Sequence, residues 1–261
     1  MRTRVITAVV ALLIFIPVIV YGGWLIQLAA IVLGAVALGE VLVMKKKLVV
    51  SAEAIISFLG LLVLLAPQSW LAFLPANLNR EFLFFIFVML LLLHTVFTRN
   101  HFSFDDAGVL TLAMLYIGMG FYYFVAARNT GLSTLFYILF VIWTTDSGAY
   151  MIGRKLGRHK LAPQISPNKT WEGSIGGTIV AVIVGSVWVA FFPQHFSLPI
   201  MVGLTLIYSV CGQLGDLVES SLKRFYGVKD SGKILPGHGG ILDRFDSLLF
   251  VLPILHLTGL I

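Results

Sequence analysis

Charge is scarce in this chain. Only 11% of its 261 residues are Asp, Glu, Lys or Arg, while 59% are hydrophobic and the mean hydropathy is +0.97. Soluble domains carry roughly 25% charged and about 45–50% apolar residues, so a soluble fold of this length would leave too much apolar surface in water. Cysteine is nearly absent. Cys211 stands alone in an apolar run, which excludes an intrachain disulfide and reads as a small buried hydrophobe. There is no Gly-x-x-x-x-Gly-Lys-Ser/Thr motif, so an ordinary P-loop phosphate site is not supported. Internal repeats and low-complexity tracts are also missing. Met1-Arg2-Thr3-Arg4 followed by an apolar run imitates a signal peptide. No small-residue cleavage site precedes a soluble domain, however, and more apolar runs follow. The segment is expected to be the first transmembrane helix.

What remains is one long series of apolar runs. A helical span needs about 20 mostly apolar residues. Nine candidates are found, near 5–22, 24–43, 53–74, 82–98, 107–127, 132–152, 173–192, 199–220 and 241–260. The expected fold is therefore all-α: a polytopic protein of about nine transmembrane helices in a single membrane domain over residues 1–261. Residues 1–130 form generic N-terminal helices, and residues 131–261 are expected to carry the chemistry. With the N-terminus in the cytoplasm, all but Arg80 and Arg128 of the 18 Lys and Arg residues fall on the cytoplasmic side. Positive-inside bias favours that orientation and puts the C-terminus outside. The formal net charge of +6 points to anionic lipid headgroups and phosphorylated substrates, not nucleic acid.

Ionisable side chains inside spans are costly and are functional candidates by default. Asp146 lies in the sixth span, Asp216 in the eighth, and Asp243 and Asp246 open the ninth. All four fall in the cytoplasmic halves of their helices, and Asp243 and Asp246, three apart, share a helix face. Gly148, Ala149, Gly212 and Gly215 beside them allow close helix approach. Carboxylates at one depth suit a hard divalent cation such as Mg²⁺, which takes a few carboxylates and substrate phosphates. The alternative is pairing with Lys and Arg to hold the helices together.

Two cytoplasmic loops, 153–172 and 221–240, supply the cations. In the first, Ser166-Pro167-Asn168-Lys169-Thr170-Trp171-Glu172-Gly173 leads into the seventh helix, whose N-terminal amides suit phosphate. The alternative is capping by Ser166 or Thr170 beside a positive-inside Lys169. In the second, Ser220-Ser221-Leu222-Lys223-Arg224 precedes Lys229-Asp230, then Pro236-Gly237-His238-Gly239-Gly240, then Asp243-Arg244-Phe245-Asp246. A cation cluster, a Gly-rich turn and a helix opening with two acids read together as polyphosphate plus metal. Phosphoryl-type transfer needs those parts and in-line placement more than covalent help.

Residues 220–246 resemble the phosphatidate cytidylyltransferase, or CDP-diacylglycerol synthase, family. The family pattern runs Ser-x-apolar-Lys-Arg, four residues, Lys-Asp, then Pro-x-His-Gly-Gly, ending apolar-x-Asp-Arg-apolar-Asp. Every fixed position is matched. Asp146-Ser147-Gly148-Ala149-Tyr150 and the Ser166–Gly173 segment also look like family motifs, in the right order. Asn168 stands where the family commonly has Lys. The resemblance implies condensation of CTP with phosphatidate to give CDP-diacylglycerol and pyrophosphate, with Mg²⁺ and beside it K⁺, by a homodimer. Short cytoplasmic loops and a lean chain suggest a bacterial plasma membrane, and the topology puts the acids and basic loops, and so the site, on its cytoplasmic face. Under the resemblance, Asp216, Asp243 and Asp246 hold the metal with Asp146 close by. Lys223, Arg224 and Lys229 neutralise phosphates, and Ser166, Lys169 and Thr170 position one of them. His238 joins the catalytic set. Asn168, Glu172, Asp230, Gly239, Gly240 and Arg244 are expected to bind substrate. A CTP-dependent lipid kinase and a transporter are the competing readings.

Overall fold

Proline and glycine punctuate the apolar runs, and the helices break where they stand. The computed structural model describes residues 2–75 and 77–261, apart from the side chains of residues 2–4. Met1, Ala76 and the expected cytoplasmic charges of Arg2 and Arg4 lie outside the described residues. In chain order the elements are α1 (Arg2–Tyr21), α2 (Gly23–Met44), α3 (Ala52–Leu65), α4 (Gln68–Leu71), α5 (Arg80–Phe97), α6 (Phe104–Thr130) and α7 (Leu132–Leu156). There follow β1 (Lys160–Ala162), β2 (Ser166–Thr170), α8 (Trp171–Phe191), α9 (Leu198–Phe225) and α10 (Leu242–Leu257). Gly22 and Gly23 make the first turn with φ of 68° and 54°, a left-handed conformation that residues with a Cβ adopt reluctantly.

Among the described residues, six helices (α2 and α5 to α9) are long and apolar enough to cross a bilayer. The chain is a helical, polytopic membrane protein. The α1 segment Val5–Tyr21 is an apolar helix of lesser length, as is α3, and α10 has 16 residues. The third expected span, 53–74, is corrected. Its helix stops at Leu65 after 14 residues, about 21 Å at 1.5 Å per residue, because Pro67 cannot continue it. Two carbonyls freed by the break find donors. Gln27 Nε2 donates to Leu65 O at 2.6 Å and an Arg80 guanidinium nitrogen to Ala66 O at 2.7 Å. Apolar surroundings make such carbonyls expensive to leave bare.

The chain divides into two compact units. The first comprises residues 1–125 and 230–242. Its core is aliphatic and aromatic, with Ile26, Leu38, Leu61, Leu110 and Phe121 buried. Lys45 and Lys47, at the end of α2, each pair with Asp106 at 2.8 Å. Glu53 faces His94 at 3.3 Å.

The second unit comprises residues 126–229 and 243–261. The segment 230–242, expected among the catalytic elements, packs with the first unit. Inside the second unit α7 and α8 lie very close. A Cβ on Gly177 would stand 2.5 Å from Thr145 O and 2.8 Å from Ala149 N. Hydroxyls and an amide join α7, α8 and α9: Tyr137 to Thr205 at 2.7 Å, Thr145 to Ser209 at 2.9 Å, Ser209 to Thr178 at 3.1 Å and Gln213 to Thr178 at 3.0 Å. Loop 153–172, in a fold expected to be all-α, contains an antiparallel hairpin, with Lys160 opposite Thr170 and Ala162 opposite Ser166.

Candidate active site

The site is built where α7, α9, α10 and the hairpin of the second unit present charge. On α9, Asp216, Glu219, Ser220 and Lys223 follow at i, i+3, i+4 and i+7 and therefore share one face. Ser220 Oγ donates to Asp216 Oδ1 at 3.2 Å. Lys223 stands between two acids, pairing with Glu219 one turn back and with Asp243 Oδ1 of α10 at 2.6 Å. These groups are well shielded: the Glu219 and Asp243 side chains are 1% and 4% exposed. The α9–α10 approach depends on Gly215, where a Cβ would come 2.8 Å from Asp246 O. Asp246 follows on the same face of α10, its Oδ1 accepting from Ser247 N at 2.6 Å.

The hairpin brings in Lys169, whose Nζ lies 2.7 Å from Asp216 Oδ2. Thr170 settles the capping question. Its buried hydroxyl accepts from Gly173 N at 3.1 Å and so caps α8. Glu172 in the first turn accepts from Arg158 N at 3.0 Å and pairs with His159 Nδ1 at 2.6 Å. That contact ties the approach of the hairpin to the start of α8.

Asp146 on α7 remains accessible and lies within electrostatic reach of Asp216, Lys169 and Arg244. Asp246 lies in reach of Asp146, Asp216 and Lys223. The four sequence-singled acids thus occur in one charged cluster with Lys169, Lys223 and Arg244. Arg224 is engaged elsewhere, donating to Ile165 O at 3.2 Å. Ser166 is half-buried, Asn168 is exposed on the hairpin, and Lys229 is exposed. Asp230, His238, Gly239 and Gly240 belong to the first unit.

Residues 2–261 match the cytidylyltransferase family. Similar proteins named phosphatidate cytidylyltransferase occur in several bacteria. One from Staphylococcus haemolyticus is 46% identical over 260 residues, covering 98% of each chain. One from Staphylococcus aureus is 44% identical over 257 residues, again 98% of each. One from Bacillus subtilis is 46% identical over 261 residues, 98% of this chain and 96% of that one. The chain belongs to the cytidylyltransferase family.

Within this family member two acids escaped the sequence reading. Glu219 carries a signal that was available, an acid inside a span one turn before Lys223. Glu40 carries the same signal as the lone ionisable residue of α2.

The donor set suits a hard cation in kind. Five carboxylates (Asp146, Asp216, Glu219, Asp243 and Asp246) face three cations, and neither buried Glu219 oxygen finds a partner of hydrogen-bond geometry among the described residues, the Lys223 contact being an ion pair only. Among those residues no three acidic, His or Cys side chains converge on one ion-sized point. Lysine ammonium groups stand against Asp216 and Asp243 instead.

Proposed function

We propose that this chain is a phosphatidate cytidylyltransferase, condensing CTP with phosphatidate to CDP-diacylglycerol and pyrophosphate. The observation that carries the reading is identity of 44–46% along 98% of the chain to bacterial proteins bearing that name. The charged cluster suits the chemistry. A phosphatidate phosphate oxygen attacks the α-phosphorus of CTP, the bond to the bridging oxygen of the β-phosphate breaks, and pyrophosphate departs. Both substrates are polyanions, so the protein must compensate charge and hold the two phosphates in line. In this reading Lys223 and Lys169 leave their carboxylates for phosphate oxygens, with Arg224, Lys229 and Arg244 as further cations. His238 and the Gly239 and Gly240 amides add donors.

Asp216, Asp243 and Asp246, with Asp146 close by, are the residues that would hold Mg²⁺, with K⁺ beside it. When bound, Mg²⁺ supplies positive charge to the phosphate oxygens. The wider arrangement in this reading is nine crossings with the N-terminus inside, a homodimer in a bacterial plasma membrane, and the site on its cytoplasmic face. There the phosphatidate headgroup meets CTP.

A product assay on the purified protein tests the reading, with phosphatidate, Mg²⁺ and CTP labelled separately at the α and γ positions. The expected result is α label in lipid and γ label in pyrophosphate. Lipid carrying the γ label would make the protein a kinase. Folded protein with no product would leave transport as the better account.

A further inference from the structure

Glu40 is 4% exposed and is the lone ionisable residue of an otherwise apolar α2. An acid there is costly unless its oxygens are well satisfied. They are satisfied from far along the chain. Ser231 Oγ donates to Oε2 at 2.9 Å, Ile241 N to Oε1 at 2.7 Å, and Leu242 N to Oε2 at 2.9 Å. The segment closes around the carboxylate so tightly that a Cβ on Gly232 would come 2.6 Å from Oε1. One on Gly240 would strike both Glu40 and Ser231 Oγ.

Between these anchor points the loop is shaped by its own bonds. Leu235 N donates to Gly239 O at 3.0 Å and His238 N to Leu235 O at 2.8 Å, with Gly237 and Gly239 at φ of 77° and 84°. His238 is held with Nδ1 buried and without a hydrogen-bond partner among the described residues. A buried nitrogen left bare in this way is unusual in a loop built only for support. The last anchored residue, Leu242, directly precedes Asp243.

We propose that Glu40 is a positioning residue for the transfer reaction. Its carboxylate sets the backbone of residues 231–242, orients His238 and the Gly239 and Gly240 amides, and fixes the residue from which α10 and Asp243 begin. The proposal rests on the cytidylyl-transfer reading above. Both oxygens of Glu40 accept, so Gln, with the same shape, places an NH₂ against a backbone N–H or the Ser231 hydroxyl and cannot hold the loop in the same way.

The test uses full-length wild type, Glu40→Gln, Ser231→Ala and the double variant. It measures thermal midpoint, kcat and KM for CTP in CDP-diacylglycerol synthesis, and hydrogen–deuterium exchange across residues 230–242. Glu40→Gln is expected to lower kcat by about 100-fold, to change KM for CTP far less, and to speed exchange in the loop while the protein stays folded. Ser231→Ala is expected to lower kcat about fivefold, and the double variant to be no worse than Glu40→Gln alone. Undiminished kcat in a folded Glu40→Gln protein, or loop exchange like wild type, overturns the proposal. If Glu40→Gln does not fold, Ser231→Ala decides by the same two readouts. Folded wild type that makes no CDP-diacylglycerol overturns the enzyme reading and the proposal together. Wild-type turnover beside equal Glu40→Gln turnover overturns the proposal alone.

Discussion

The two units treat their shielded acids in opposite ways. In the first, Glu40 accepts from Ser231, Ile241 and Leu242, Asp106 sits between two lysines, and Glu53 faces a histidine. In the charged cluster of the second, five acids face three cations, one lysine is shared between two carboxylates, and among the described residues the buried oxygens of Glu219 make no hydrogen bond. An acid whose oxygens are fully engaged holds backbone and helices in place. An acid competing for a shared counter-charge remains available to an incoming cation, and its lysine to an incoming phosphate. The comparison teaches that burial alone does not mark a working carboxylate; incomplete satisfaction does.

The sharpest test of that contrast is Asp243→Ala. Turnover is expected to fall by at least about 10³-fold while the protein still enters the membrane and purifies as a folded species; retained turnover would remove Asp243 from the chemistry. Next comes Lys223→Met, which leaves two shielded carboxylates without their shared cation. A stability loss of about 3 kcal/mol is expected, seen as a lower midpoint in thermal unfolding and accompanied by loss of activity. Unchanged stability would mean that Glu219 and Asp243 do not depend on it. Lys169→Ala is milder, because the pair with Asp216 is partly exposed. Its stability should change by less than about 1 kcal/mol, and kcat/KM for CTP should fall about tenfold, as steady-state kinetics would reveal. The smallest effect belongs to the first unit. Asp106→Asn is expected to lower stability by about 1 kcal/mol and leave turnover as it was. A large kinetic defect there would break the contrast between the units.

Much of this was legible from the chain alone, for identifiable reasons. Hydropathy runs located the helices because a bilayer demands about 20 apolar residues per crossing. It overran at residues 66–74, where Pro67 outweighs the apolar residues around it. The charged motifs on α7, α9 and α10 were legible because acids and lysines inside apolar helices are rare. The hairpin was not, since strands of three and five residues show too little alternation to be recognised. Nor could the spacing of Ser166 and Thr170 decide which hydroxyl caps α8; that depends on the turn into the helix. Glu40 carried the signal of an acid inside a span, but its partners lie 191 to 202 residues away, and nothing local announces which loop it organises.

The distance from Glu40 to Ser231 also has a consequence for biosynthesis. The carboxylate leaves the ribosome 191 residues before its first partner. At about 5–20 residues per second, that is an interval of roughly 10–40 s. Throughout it, α2 carries an acid whose final donors have not been made. The nascent chain must therefore shelter Glu40 by a proton, by water at the membrane surface or by the insertion machinery. The first unit is completed only once residue 242 has been translated.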